Sequence, residues 1–315
     1  MIVAPIAMAT HPNFLVLGAA KTGTTSVYAY LQQHPEVFLP TKETFFFISE
    51  LYRDNHLPYP AQRPKEEIVF DEAAYLAPYA EAGDAKAFGE VATGYLCYHE
   101  HAIPRIKATL GSDVKLLAIL RQPVERAYSG YTFFRRDLHE KLDWESALAA
   151  EAERTEKGWD FMWAYAAHSH YAASVRAYQE AFPNMRVFFF DDLRADPAAF
   201  MREVFEYLGV DPNVSLDLSE KNVSGAPKSK AFQALVTQDN PVKKILRPLL
   251  RALAGRETRH RMRQWLKARN VGDKDRMTPV QFNAMLPAFQ EDIRDLERLT
   301  GRDLSAWLKP KPTAP

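Results

Sequence analysis

The sequence predicts an α/β fold: a central parallel β-sheet flanked by helices, followed by a helical C-terminal extension. Three observations predict it. Short apolar runs at residues 14–18, 114–120 and 187–190 read as strands buried on both faces. Each run is followed by a turn and then a helical pattern, the alternation of a parallel sheet covered by helices. Strand signals then stop, and from about residue 221 only a loop and helical patterns remain.

Taken in order, the first strand, FLVLG, runs into a glycine-bearing turn and a helix over 23–33. Residues 40–64 form a long connection rich in Pro and aromatics, a length that suits substrate-facing structure better than sheet. A weaker strand is predicted at 87–92, inside KAFGEVATGYL, and a helix at 99–110. After the strand at 114–120, helices are predicted at 124–138, 143–157 and 168–182. The last strand leads to a helix at 197–208, where Asp196 is placed as N-cap, Pro197 occupies the first turn and Gly209 ends it. One domain over 1–315 follows, with an α/β core at about 13–220 and a basic loop and helical extension at about 221–308.

At 315 residues, with 47% hydrophobic and 25% charged residues, the chain can bury a large core. Zero formal net charge gives no global field toward nucleic acid or a membrane surface. The single cysteine, Cys97, excludes an internal disulfide and fits a reducing compartment. The N-terminal MIVAPIAMATHPN lacks a basic n-region and a long apolar core, and no segment approaches ~18 uninterrupted apolar residues. A cytoplasmic protein is the expectation.

The chemistry begins at AAKTGTTSVYAYLQQHP. A triphosphate-binding loop places its lysine after the last glycine, G-x-x-x-x-G-K-[ST]. Here Lys21 precedes Gly23, and Thr24, Thr25 and Ser26 follow. A helix N-terminus offers unpaired N–H groups and a positive dipole end, so an anion is expected against Lys21, Thr22, Gly23, Thr24, Thr25 and Ser26. The bland alternative is an ordinary capped helix start. A second element, LRQPVERAYS, puts Arg121 at the C-terminal end of a predicted strand, where ligands bind in open parallel sheets, with Ser129 on the following helix. A guanidinium there offers a planar fork to a phosphate, although pairing with a surface carboxylate is the competing role.

Together these elements resemble the nucleotide-binding signature of the sulfotransferases that use 3′-phosphoadenosine 5′-phosphosulfate (PAPS), in particular the glycan and heparan branch. AAKTGTT resembles the family's 5′-phosphosulfate loop PKTGTT, with Ala20 where many members carry Pro or Arg. LRQPVERAYS resembles the 3′-phosphate element LR-x-P-x-x-R-x-x-S. GEVATGYL and FFFDDLRADPAAFMREVFEYLGV resemble two further elements, GE-x-S-P-x-Y-L and Y-E-D-L-x-x-D-P…L-x-x-F-L-G, in the same order. The resemblance implies a P-loop-type fold, PAPS as donor, Lys21 at the oxygen bridging phosphorus and sulfur, and Arg121 and Ser129 at the 3′-phosphate. It also places Lys228 and Ser229, in NVSGAPKSKAF, in a late loop that closes on that phosphate. A phosphate–sulfate anhydride needs no magnesium, and no metal-binding carboxylate is convincingly placed.

Transfer to a hydroxyl gains from a positioned base. In the family's glycan enzymes a glutamate in a K-E-x-x-F-F context has that role, and Glu43 of LPTKETFFF matches it, beside Lys42. Its bland alternative is a surface carboxylate paired with Lys42. The resemblance puts Glu90 and Tyr95 on the acceptor side; Val91 replaces a basic residue found in several glycan enzymes. His168, near His170, is a further acceptor-side candidate, and His99 and His101 fall late for a base after the third strand. Phe45 to Tyr59 with Trp159, Phe161 and Trp163 suggest an aromatic-lined cleft, or else core.

Residues 221–270 carry thirteen Lys and Arg against Asp239 and Glu257. PVKKILRPLLRALAG reads either as a core-facing helix with a solvated basic face or as a surface for an anionic acceptor or peripheral membrane contact. Nucleic acid is not expected, since its motifs are missing. The acceptor class stays open among small molecules, lipids and glycans. The competing functional readings are a kinase-like phosphotransferase using ATP and magnesium, and a non-catalytic protein binding anions or a membrane surface.

Overall fold

The structure is a computed structural model and describes residues 11–53, 68–219 and 276–313. Its centre is a five-stranded, all-parallel sheet of β1 (Phe14–Gly18), β2 (Val37–Phe38), β3 (Ala87–Val91), β4 (Lys115–Leu120) and β5 (Met185–Phe189), in the order β2-β3-β1-β4-β5. Alternate residues of each strand face opposite layers. Leu15 and Leu17 of β1, with Leu116, Ala118 and Leu120 of β4, belong to one apolar core. Phe14, Val16, Leu117 and Ile119 belong to the other. Burial on both faces is why these strands read as unbroken apolar runs.

The helices are α1 (Thr24–Leu31), α2 (Glu50–Arg53), α3 (Glu72–Leu76), α4 (His99–Leu110), α5 (Pro123–Arg136), α6 (Trp144–Ala149), α7 (Glu151–Glu156), α8 (Ala172–Ala181), α9 (Phe190–Ala195) and α10 (Pro197–Leu208), with a C-terminal helix at Pro279–Thr300. Helix α10 follows its sequence signals: the Asp196 carboxylate accepts from the N–H groups of Ala198 and Ala199, and Gly209 closes the helix in the left-handed conformation.

Three expectations need adjustment. The strand expected at 187–190 lies at Met185–Phe189, and Phe190 opens α9, whose first turn carries Asp191 and Asp192. Acidic residues there complement the helix dipole. The helix expected at 143–157 is two, meeting at Ala150; Glu151 turns inward to accept from the N–H groups of Ala166 and Ala167. The helix expected at 168–182 starts only at Ala172, because its cap is remote. Asp292 of the C-terminal helix accepts from the N–H groups of Tyr171 (2.9 Å) and Ala172 (3.0 Å).

Lys228, Ser229, the basic segment 221–270, and residues 54–59 of the proposed aromatic cleft lie outside the described residues. Among the described residues no helix is long and apolar enough to cross a membrane.

Candidate active site

Strand order reverses at β1, which has β3 and β4 as neighbours, so the C-terminal ends of three strands open on one crevice. The loop after β1 carries Ala19 to Gly23, the turn after β3 carries Thr93, and β4 ends at Leu120, directly before Arg121. The Ala19 N–H donates to Ile119 O, and the Ala92 N–H to Val16 O, each at 2.9 Å, stitching the three ends together.

Two glycines let the loop take this path. Gly18 has φ 134, and a Cβ there would lie 2.8 Å from Thr93 O; Gly23 has φ 87, and a Cβ would meet Leu193 Cδ2 at 2.6 Å. Both positions require positive φ and close approach, which only glycine supplies without strain. Gly23 is the N-cap of α1 and has no side-chain cap, leaving first-turn N–H groups for another acceptor. Thr22 is fully buried, and its hydroxyl donates to Ala19 O at 2.7 Å, so its side chain stiffens the loop. Thr24 is buried, Ser26 half-buried and Thr25 exposed; Lys42 Nζ donates to Thr25 Oγ1 at 2.9 Å, laying Lys42 across the start of α1.

Lys21 itself has φ 72. Its ammonium stands 4.1 Å from the centre of the Phe133 ring on α5. Burial lowers its pKa to about 7, and the guanidiniums of Arg136, Arg126 and Arg121 press it the same way; Asp137 only partly opposes them. Four cations thus converge where the helix dipole is also positive. Arg126, which carried no assigned role in the sequence, is buried within α5: its Nε donates to Ala20 O (3.0 Å) and its Nη1 to Tyr165 O (3.0 Å). It buckles the loop after β1 to the 161–170 segment, and its only sequence signal is its place in LRQPVERAYS.

Arg121 leaves the end of β4 with its guanidinium 4.9 Å from the Phe190 ring. Nη2 donates to Glu125 Oε2 at 3.1 Å, while Nε is buried and, among the described residues, has no hydrogen-bond partner. Ser129 lies half-buried one turn beyond Glu125 on α5. An orphaned guanidinium N–H, an uncapped helix start and an ammonium destabilised by its cationic neighbours all fit an anionic group carrying two phosphate positions.

Glu43 has φ 60 and is half-buried; its N–H donates to Val91 O, and its Oε1 accepts from Thr93 Oγ1 at 3.0 Å. The Thr93 carbonyl thus leaves no room for a Cβ at Gly18 while its hydroxyl holds Glu43, so one residue sits between the loop after β1 and the carboxylate. Sequence reasoning gave Thr93 no role. Glu90 and Tyr95 do not face the crevice: both are 0% exposed. Glu90 accepts from the N–H and hydroxyl of Thr44 and from the Tyr95 hydroxyl, anchoring the Glu43-bearing loop from below. Burial pushes the Glu90 carboxyl up to about 7, against those hydrogen bonds. Phe45 to Phe47 and Trp163 are core.

A cavity of about 250 Å³ adjoins the loop, walled by Ala19, Ala20, Thr93, Leu96, Phe161 and His168 among others. Desolvation, then the nearby Arg126, drives the His168 imidazole down to about 3, so it is neutral. Ser174 and His99 also line it, their Oγ and Nδ1 3.1 Å apart. No cluster of three or more His, Cys, Asp or Glu arranged to hold a metal occurs among the described residues.

Comparison with known proteins agrees with this arrangement. The sulfotransferase domain family matches residues 11–301. The human bifunctional heparan sulfate N-deacetylase/N-sulfotransferase 3 is 27% identical over 220 residues, 64% of this chain and 23% of its own length. The membrane-associated sulfotransferase kil1 of Dictyostelium discoideum is 32% identical over 122 residues, 39% of this chain and likewise 23% of its own. A solved sulfotransferase from Alicyclobacillus acidocaldarius has a TM-score of 0.70 and 28% identity, covering 95% of this chain and 100% of that one.

Proposed function

From the premise that this chain belongs to the sulfotransferase family, we propose that it moves a sulfuryl group from PAPS to a hydroxyl or amine of an acceptor, with Glu43 as base. The observation that carries the proposal is the pairing of Lys21 at the loop after β1 with the orphaned Arg121 Nε at the end of β4. When bound, PAPS supplies the sulfuryl group and a phosphate leaving group. Lys21 and the first-turn N–H groups of α1 are the residues to hold its 5′ end, and Arg121 and Ser129 its 3′-phosphate. The Lys21 ammonium offsets negative charge growing on the leaving oxygen, the kind of preorganised stabilisation that works best away from water. Glu43, oriented by Thr93, takes the acceptor proton, a contribution of ~10²–10⁴-fold. The cavity beside Ala19 and Ala20 is the place for the acceptor's reacting end. The heparan relatives support a glycan acceptor and kil1 supports contact with a membrane; Val91 speaks against a highly sulfated one, and a small-molecule or lipid acceptor fits the same proposal.

Calorimetry with 3′-phosphoadenosine 5′-phosphate (PAP), beside ADP and ATP with and without magnesium, tests the donor. Magnesium-independent binding that favours PAP is expected. A preference for ATP with magnesium would mean a phosphotransferase instead.

A further inference from the structure

We propose that Lys311, near the far end of the chain, is a positioning residue for 3′-phosphate recognition: by sharing Glu125 it keeps Arg121 available to the phosphate. This rests on Arg121 as the 3′-phosphate ligand.

Glu125 lies between two cations. Its Oε2 accepts from Arg121 Nη2 at 3.1 Å, and its Oε1 accepts from Lys311 Nζ at 2.9 Å, across 186 residues of chain. Lys311 is held rather than trailing. Asn283 of the C-terminal helix clamps its backbone with a reciprocal pair: Asn283 Nδ2 donates to Lys311 O (2.8 Å) and Lys311 N donates to Asn283 Oδ1 (2.7 Å). The Phe282 ring lies 4.3 Å beneath the ammonium. Glu125 is fixed as well, its N–H bonded to Gln122 Oε1, while Gln122 Nε2 donates to Trp307 O.

A carboxylate and a phosphate compete for the same guanidinium face. With Lys311 present the Glu125 carboxylate divides its two oxygens between two cations, and without it both oxygens are left to Arg121. Desolvation works to raise the Glu125 carboxyl, yet the Lys311 hydrogen bond and the Arg121 charge outweigh it and hold the group low, so Glu125 stays ionised as a competitor. Side-chain exposures of 41% for Lys311 and 27% for Glu125 bound the effect to that of a partly solvated pair.

The test is calorimetric affinity for PAP and for AMP, which lacks the 3′-phosphate, in Lys311→Met, Glu125→Gln and the double variant. Lys311→Met is expected to weaken PAP by about two- to fivefold and leave AMP within error. In the Glu125→Gln background, where the competitor has lost its charge, the same substitution is expected to cost nothing further. Equal losses for PAP and AMP, no loss for either, or a loss that persists beside Glu125→Gln would each overturn the proposal. Arg121→Met serves as the separate check on its premise: if that variant leaves the preference for PAP over AMP unchanged, Arg121 is not the 3′-phosphate ligand.

Discussion

Donor binding should take a proton from solvent, and the amount follows from Lys21. Burial and three guanidiniums hold the free-state ammonium at about 7. At pH 8 it is therefore only about one-tenth protonated, by the ordinary titration relation. A phosphate-bearing donor supplies the missing counter-charge and returns the group toward its ordinary value of 10.5. Binding at pH 8 then carries an uptake of about 0.9 proton, read as the slope of binding enthalpy against buffer ionisation enthalpy. PAP contributes nothing to this, because phosphate monoesters lose their second proton near pH ~6. Between pH 7 and 9 affinity should fall by up to about 50-fold, about 2.3 kcal/mol. The stability of the free protein runs the other way. A folded value depressed below the unfolded one removes stability that is fully regained only above 10.5 and lost as pH falls through about 7. Lys21→Met, whose stem can still lie on Phe133, should bind PAP weakly but with no uptake. Wild-type binding at pH 8 without a buffer-dependent enthalpy would refute the account of the four-cation cluster.

Two further outcomes are expected. Glu43→Gln should lower kcat by ~10²–10⁴-fold while PAP affinity holds, and an unchanged kcat in a single-turnover assay would move the base to another group. Gly23→Ala should lower Tm and donor affinity together, because φ 87 is strained for alanine and its Cβ would stand 2.6 Å from Leu193 Cδ2; a Tm equal to that of the parent would mean the loop has slack that its geometry does not show.

What was legible in the sequence is what is local. The β1 run, the α10 cap and stop, and the displaced lysine are each written in a few adjacent residues, and they lie in the structure as read. What was not legible depends on pairs distant in sequence. Asp292 sets the start of α8 from 121 residues away, so no window around residue 168 could show it. Glu90 and Tyr95 carried acceptor-side expectations from resemblance, and nothing in GEVATGYL reveals that the Thr44 loop folds over them. Thr93 has no local signal, because its hydroxyl gains its partner only when Glu43 arrives from across the crevice. The two-residue β2 is too short to leave any periodic trace.

The clamp between Asn283 and Lys311 has a consequence for the order in which the crevice is assembled during synthesis. Glu125 leaves the ribosome 186 residues before Lys311 does. At 5–20 residues per second that is a delay of about 9–37 s. Within that interval the later strand and the helices through α10 emerge in turn, before Asp292 can cap α8 and while Arg121 faces Glu125 without Lys311. The crevice thus depends on residues made long after the strands and loop that line it.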